Sequence, residues 1–411
     1  MSLALETFLT DANRKRRILA LDGGGVRGMF TIGVLQVLEE QLRERYRNSD
    51  YRLCNYFDLI AGTSTGSIIA TGLALGMTAA EISVYYKELC PKIFKRPSND
   101  FMAAFFARHK SGPLTEALGA VYGDNTLSSD ELRTGLAINC MRLDRGSAWV
   151  VCNNPRWKYY GSTAAAGKES EGAANRRYRL RDLVQASAAA PFFFRGLQLT
   201  VATDKTGKKS KEDGYFVDGG VSGNNNPALE ALMVVRDPVY GFNWPLGPDQ
   251  LYVLNVGTGA IRGGQTAKSM RGKPSWEHAK ESLTAMIGAV GQEQVAVLQA
   301  MSQSKRRWVI NSEKIDQPSA PYLTIGGPAF EYQRIDVRLD VGGFKDGDPR
   351  SAEHASALLQ EALTEAQAKG LAAMDNPDEA NLHLLQQLGE KMGRRHFSAE
   401  YPRTMFDEGR R

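Results

Sequence analysis

Two glycine-flanked turns carry most of the chemistry this chain offers. Asp22-Gly23-Gly24-Gly25-Val26-Arg27-Gly28 follows the apolar run Ile18-Leu19-Ala20-Leu21. Gly62-Thr63-Ser64-Thr65-Gly66 follows Phe57-Asp58-Leu59-Ile60-Ala61. A glycine-rich turn between a strand and a helix points backbone N–H groups, at the positive helix end, toward whatever lies above the strand, and so suits an oxyanion. A serine on a tight strand-to-helix turn is held exposed as a nucleophile. Gly62 and Gly66 remove Cβ atoms that would clash in so tight a turn. The serine hydroxyl still needs a base. The candidate is Asp218 in Phe216-Val217-Asp218-Gly219-Gly220, an aspartate after an apolar strand whose two following glycines allow close approach of another loop. An exposed aspartate is a weak base, so a Ser–Asp pair demands a partly desolvated site. Taken together these turns read as an acyl hydrolase, with Arg27 adding positive charge.

The elements that must position these groups are legible from periodicity. Phe30, Val34, Val37, Leu38 and Leu42 make a helical stripe after the first turn, and Ser67–Ala74 follows the second. Residues 18 to about 90 therefore read as two βα units of a parallel sheet. Further strands are expected at 147–152, 197–201, 215–217, 251–256 and 332–337. A helix is expected at Leu183–Ala190, stopped by Pro191, and a long helical stretch from Trp276 to Lys305. Gly161 to Arg177 reads as a loop, and Thr203 to Gly214 as the Lys/Gly-rich tip of a hairpin. From about Asp346 the chain is mostly helical. The expected architecture is one α/β domain, 15–345, with a helical C-terminal extension, 346–411.

Bulk properties narrow the function classes. With 411 residues and 42% hydrophobic content the chain can bury a substantial core, and 24% charged residues is ordinary for a soluble protein. A net charge of +5 is compatible with anionic partners but too small to demand a nucleic acid polymer. Cys54, Cys90, Cys140 and Cys152 form no C-x-x-C pair, which argues against zinc and for reduced, buried thiols in a cytoplasmic protein. Arg14-Lys15-Arg16-Arg17 follows the first apolar residues, the wrong order for a secretory signal. No charge falls between Asp58 and Glu81, but that stretch is rich in Gly, Ser and Thr and contains the serine turn. It reads as a buried strand–turn–helix rather than a membrane span.

Three other readings compete. Gly23-Gly24-Gly25-Val26-Arg27-Gly28 matches the dinucleotide fingerprint G-x-G-x-x-G, yet the next strand ends in Ala61-Gly62 and a serine where that fingerprint wants an acid. Ser64, Asp218 and His278 run in the order of an α/β-hydrolase triad. His278, however, lies in Trp276-Glu277-His278-Ala279-Lys280, a polar helical face. A non-catalytic binding or storage protein would tolerate loss of the serine or the aspartate, and both are present.

In order and spacing, the Asp22–Gly28 turn, Gly62-Thr63-Ser64-Thr65-Gly66 and Asp218-Gly219-Gly220 resemble the patatin-like phospholipases. Ala186-Ser187-Ala188-Ala189-Ala190-Pro191, Asn225-Asn226-Pro227 and the strand ending in Gly257-Thr258-Gly259 resemble the same family. The resemblance spans roughly residues 15 to 345. It implies a three-layer fold with a mainly parallel sheet flanked by helices, and a Ser–Asp dyad without histidine, metal or cofactor. It also implies hydrolysis of acyl esters of membrane phospholipids by a protein that meets the membrane peripherally. By carry-over Ser64 is the nucleophile, Asp218 the base, and Gly23, Gly24, Gly25 and Arg27 the oxyanion region. Two features depart from the family pattern: Ser67 stands where many members have a glycine, and Gly223-Asn224-Asn225-Asn226-Pro227 is one residue longer than usual.

Length and layout further resemble the bacterial anti-phage effectors of this family that cyclic nucleotides switch on. Arg176, Arg177, Arg179 and Arg181, or Lys208, Lys209 and Lys211, are the cations that could meet an activator's phosphates, and solvated loop charge is the competing account. A homo-oligomer is compatible with the sequence. Phe94-Lys95-Arg96 and residues 101–110, with Phe105 and Phe106, mix aromatics and cations as a membrane-opened lid would, although a core helix would look similar.

Overall fold

The computed structural model describes residues 3–11, 13–94, 111–161, 175–202, 212–261, 267–304, 306–310, 323–340, 351–398 and 401–407. Its strands are β1 (Arg16–Leu21), β2 (Leu59–Thr63), β3 (Gly135–Arg142), β4 (Ser147–Cys152), β5 (Leu197–Ala202), β6 (Glu212–Asp218), β7 (Leu251–Val256) and β8 (Glu331–Ile335). They form one mixed sheet in the order β5-β6-β3-β2-β1-β7-β8, with β4 pairing β3. The pairs β3–β2, β2–β1, β1–β7 and β7–β8 are parallel, while β4, β5 and β6 join antiparallel. Every residue of β1, β2, β7 and β8 is buried, as expected of parallel strands covered on both faces.

The helices are α1 (Leu3–Thr10), α2 (Gly28–Tyr46), α3 (Leu53–Tyr56), α4 (Thr65–Ala74), α5 (Ala79–Ile93), α6 (Ser111–Tyr122), α7 (Leu180–Ser187), α8 (Ala228–Arg236), α9 (Ala267–Arg271), α10 (Ser275–Met301), α11 (Ala355–Leu359), α12 (Glu365–Ala372) and α13 (Glu379–His396). The order β1-α2-β2-α4 is the pair of βα units read from the sequence. Among the described residues no helix is long and apolar enough to cross a membrane.

Helix α7 begins at Leu180 and ends at Ser187, not at Ala190. Its end is decided by tertiary hydrogen bonds: the Ser187 hydroxyl donates to the Asn139 carbonyl at 2.6 Å, and Ala189 accepts from the Asp218 N–H at 3.0 Å. The C-terminal helices pack onto the βα core. Helices α2 and α13 touch backbone to backbone: a Cβ at Gly389 would strike the Phe30 carbonyl, and one at Gly33 the Gln386 carbonyl. Leu382, Leu385, Leu388 and Met392 of α13 belong to the same hydrophobic core as β1 and β2. Residues 95–110, which include the Phe105–Phe106 lid candidate, and 203–211, with Lys208, Lys209 and Lys211, lie outside the described residues.

Polar side chains close the amino end of the sheet. Arg16, Arg17 and Asp58 are fully buried, with Arg16–Asp58 at 3.6 Å and the Arg17 N–H donating to Asp58 at 2.8 Å. The Arg17 guanidinium stacks 3.9 Å from the Tyr56 ring centroid, and Arg16 4.7 Å from that of Trp244. The basic run Arg14-Lys15-Arg16-Arg17 is therefore, in part, core.

Candidate active site

Ser64 and Asp218 meet because two strands end head to head along one edge of β3. Strand β2 runs parallel to β3 and ends with Thr63 opposite Asn139. Strand β6 runs antiparallel and ends with Asp218 opposite the next residue, Cys140. The serine elbow and the aspartate thus face each other across one residue step of β3. A Cβ on Gly219 would collide with the Asn139 carbonyl, so glycine there permits this approach.

Ser64 has φ +55° and ψ −126°, a left-handed conformation costing a non-glycine residue about 1–3 kcal/mol. The surrounding bonds hold it. Its N–H donates to the Ser187 hydroxyl at 2.9 Å, and its carbonyl accepts from the Ser67 N–H at 2.8 Å and the Ser67 hydroxyl at 2.6 Å. Ser67, where many family members carry glycine, therefore braces the elbow. The Asp218 carboxylate accepts from the Gly220 N–H at 2.8 Å, and the nearby Ser64 hydroxyl favours its ionised form. Asp218 is 5% exposed. Burial pushes its carboxyl up from 3.8 to about 6, and the neighbouring Ser64 hydroxyl and Gly220 N–H partly oppose that rise.

The glycine loop sits at the start of a helical turn, Gly25–Arg27, that runs into α2. Its tethers divide the candidate donors. The Gly23 N–H is committed to the Asn225 carbonyl at 3.1 Å, and the Val26 N–H to the Met374 carbonyl at 2.9 Å. No hydrogen bond among the described residues uses the N–H of Gly24 or Gly25. Both glycines line the same cleft as Ser64. Gly25 has φ +59°, and Thr65 (at 2.9 Å) and Tyr86 donate hydroxyls to its carbonyl. Arg27 is buried; its Nε donates to the Gly24 carbonyl at 3.4 Å and its terminal nitrogen to the Gly259 carbonyl at 3.2 Å. Burial pulls its guanidinium below the usual arginine range, against the attraction of Asp336 and Asp22.

Sequence reasoning missed the ionic base under this loop. Arg334 is held between Asp22 at 2.8 Å and Asp336 at 2.6 Å, all three almost fully buried. Asn255 donates to Asp22 at 2.8 Å and accepts from Arg334 at 2.6 Å. Asp336 also accepts the Gly259 N–H at 2.8 Å. The signal was present: Arg334 near the end of β8 and Asp336 just beyond it are two apart and share one face. Nothing local named their partner.

Above Ser64 and Asp218 lies a cleft of about 390 Å³. Its walls include Ile68 of α4, Leu89 and Ile93 of α5, Leu114 of α6, and Leu283 and Ile287 of α10. This is an apolar channel on the scale of a lipid acyl chain, ending at a hydroxyl and two backbone donors. His278 sits on α10 and is not among the cleft residues, consistent with its polar helical face. Of the arginine cluster, Arg179 and Arg181 pair with Asp124 at 3.7 and 3.4 Å. In the longer Gly223–Pro227 link, Asn224 accepts from Gln294 of α10 at 3.3 Å, and Asn225 and Asn226 line the cleft. All four cysteines are free and buried, and burial pushes the Cys54 thiol up to about 11.

A serine elbow at the carboxyl end of a mixed α/β sheet, opening into an apolar channel, defines the class: a lipid acyl hydrolase. Within that class the chain belongs to the patatin-like phospholipase family, whose model matches residues 19–232. It is 24% identical to Patatin-T5 of Solanum tuberosum over 399 residues, 94% of this chain and 86% of that one. It is 31% identical to the cGAMP-activated phospholipase of Escherichia coli (strain TW11681) over 247 residues, 59% of this chain and 62% of that one. It is 28% identical to the cGAMP-activated phospholipase of Vibrio cholerae serotype O1 over 300 residues, 70% of this chain and 74% of that one.

Proposed function

We propose that this chain hydrolyses acyl esters of membrane phospholipids through a Ser64–Asp218 dyad. The observation that carries the reading is the meeting of Ser64 with the buried Asp218 carboxylate where β2 and β6 end on β3, both lining one apolar cleft. Asp218 takes the hydroxyl proton as Ser64 Oγ attacks the ester carbonyl. The N–H groups of Gly24 and Gly25 receive the negative charge of the tetrahedral intermediate, with the positive end of the following helix behind them. Protonated Asp218 then returns the proton to the departing alcohol oxygen, leaving an acyl-serine. Water, deprotonated by the same carboxylate, releases the fatty acid and restores Ser64. Arg27 anchors the donor loop through Gly24 and Gly259.

The base works only when ionised. Its raised value of about 6 predicts kcat/KM that is low at pH 5, rises through pH 6 and levels by pH 8. A pH profile on a fluorogenic acyl ester, with and without EDTA, tests this. A profile flat from pH 4 to 8, or a rate abolished by EDTA, overturns the dyad.

The finer part of the reading is control. The two bacterial relatives named as cGAMP-activated phospholipases support activation by a cyclic nucleotide, and with it an anti-phage role exerted from the cytoplasm. Calorimetry with a panel of cyclic di- and trinucleotides is expected to give heat with at least one, and that nucleotide to raise vesicle hydrolysis. No heat and no activation would leave a constitutive hydrolase.

A further inference from the structure

Three half-exposed apolar side chains stand around the mouth of the cleft: Phe192 (43%), Ile261 (44%) and Trp276 (50%). Phe192 and Ile261 line the cleft edge. Trp276 lies one turn before Lys280 on α10, and Trp276, Lys280, Leu283 and Ile287 are spaced i, i+4, i+7, i+11. The last three line the cleft, so the tryptophan continues that wall outward beyond the cleft. Phe192 holds φ +69°, a costly backbone conformation for an aromatic residue, on the turn that follows Ala190-Pro191.

The helix carrying this edge is anchored at one end only. None of residues 275–293 is buried, whereas Gln294, Val295, Ala296, Leu298, Gln299 and Ala300 are. The outer two-thirds of α10 therefore presents its side chains to whatever lies over the cleft. Beside the rim, Glu277 and Glu281 both face Lys273, at 3.9 and 3.0 Å, and two cations are left over. Lys268 and Arg271 of α9 are exposed and make no ion pair among the described residues.

We infer that this rim is the surface by which the protein seats on an anionic phospholipid bilayer, with Trp276 entering the interface and Lys268 and Arg271 meeting lipid phosphates. The inference rests on the proposed lipid substrate, whose ester must pass from a bilayer into the cleft. An amphipathic aromatic with flanking cations is the composition that lies in a headgroup region.

The test separates docking from catalysis. Ser64→Ala protein is sedimented with vesicles of phosphatidylglycerol and phosphatidylcholine, and with phosphatidylcholine alone. Trp276→Ser and the pair Lys268→Glu/Arg271→Glu are compared in that background. In the otherwise wild-type chain the same variants are assayed on a soluble ester. The expected result is binding that favours anionic vesicles, weakens at least about tenfold with either variant, and leaves soluble-ester turnover unchanged. Brominated phosphatidylcholine is expected to quench fluorescence that Trp276→Phe removes. Absence of vesicle binding, or binding indifferent to both variants, overturns the inference even if the ester is hydrolysed. A change of sedimenting mass on Trp276→Ser without lipid would assign the rim to a second copy of the chain instead. Failure on the soluble ester with intact vesicle binding would overturn the dyad and leave the docking surface standing.

Discussion

Ser64→Ala is expected to lower kcat/KM on a soluble acyl ester by about 10⁴–10⁶-fold, and Asp218→Asn by about 10⁴-fold or more. The two losses should not add, because nucleophile and base act on one proton. Asp218→Asn carries a second signature, in stability, that reports how strongly the carboxylate is desolvated. Lifting a buried carboxyl from 3.8 to about 6 costs the ionised fold on the order of 3 kcal/mol. The sign follows from proton binding. Between these two values the folded state holds the proton more tightly than the unfolded one, so stability falls as pH rises. The cost is complete above pH 6 and absent below about pH 4. At pH 8 the asparagine variant should therefore melt above wild type, and the gap should close toward pH 4. Thermal melts at both pH values, paired with the ester assay, check this. An Asp218→Asn protein that stays active would remove the dyad. Loss of activity on His278→Ala, with Ser64→Ala also inactive, would bring back the histidine triad.

Arg334→Met should cost about 3–5 kcal/mol, because it leaves Asp22 and Asp336 buried around an apolar side chain. Burial already raises Asp22 above the usual carboxylate range, with Arg334 the main opposing influence. Without that cation the carboxyl should rise further. A raised carboxyl gives its stability below its folded value and loses it above, so the variant's deficit should shrink as pH falls from 8 to 5. Urea midpoints across that range are the measurement. Adding Asp22→Asn and Asp336→Asn to Arg334→Met should recover much of the loss. An unchanged midpoint in the single variant would show that the ionic base does not support the glycine loop.

Legibility differed sharply between local and distant features. The serine elbow, the glycine loop and the βα order were readable because each is written in consecutive residues: an apolar run, small residues in a turn, a helical stripe. Asp218 was readable as a turn residue with an accessible neighbour. Its raised affinity for protons was not, since that comes from packing against Cys140, Ala189 and the elbow. Gly23, grouped with Gly24 and Gly25 by sequence, parts from them through one hydrogen bond to Asn225, a residue about two hundred positions away. The end of α7 was misplaced by three residues because Ser187 is drawn into the elbow, a preference that helix propensity does not contain. The stretch from 346 read as an extension, yet Gly33 and Gly389 bring α13 against α2, and the Met374 carbonyl holds Val26 of the donor loop.

By itself the sequence determined the class of fold and named a candidate nucleophile, a candidate base and a candidate donor loop, because backbone sterics and hydrophobic periodicity act over a few residues. Tertiary structure decided which donors remain free, how hard the base holds its proton, and what lies beneath the loop. Those depend on desolvation and on charges brought together from ends of the chain. The head-to-head meeting of β2 and β6 on β3 is the clearest case. One residue step of register separates Thr63 from Asp218, and no local pattern encodes that step.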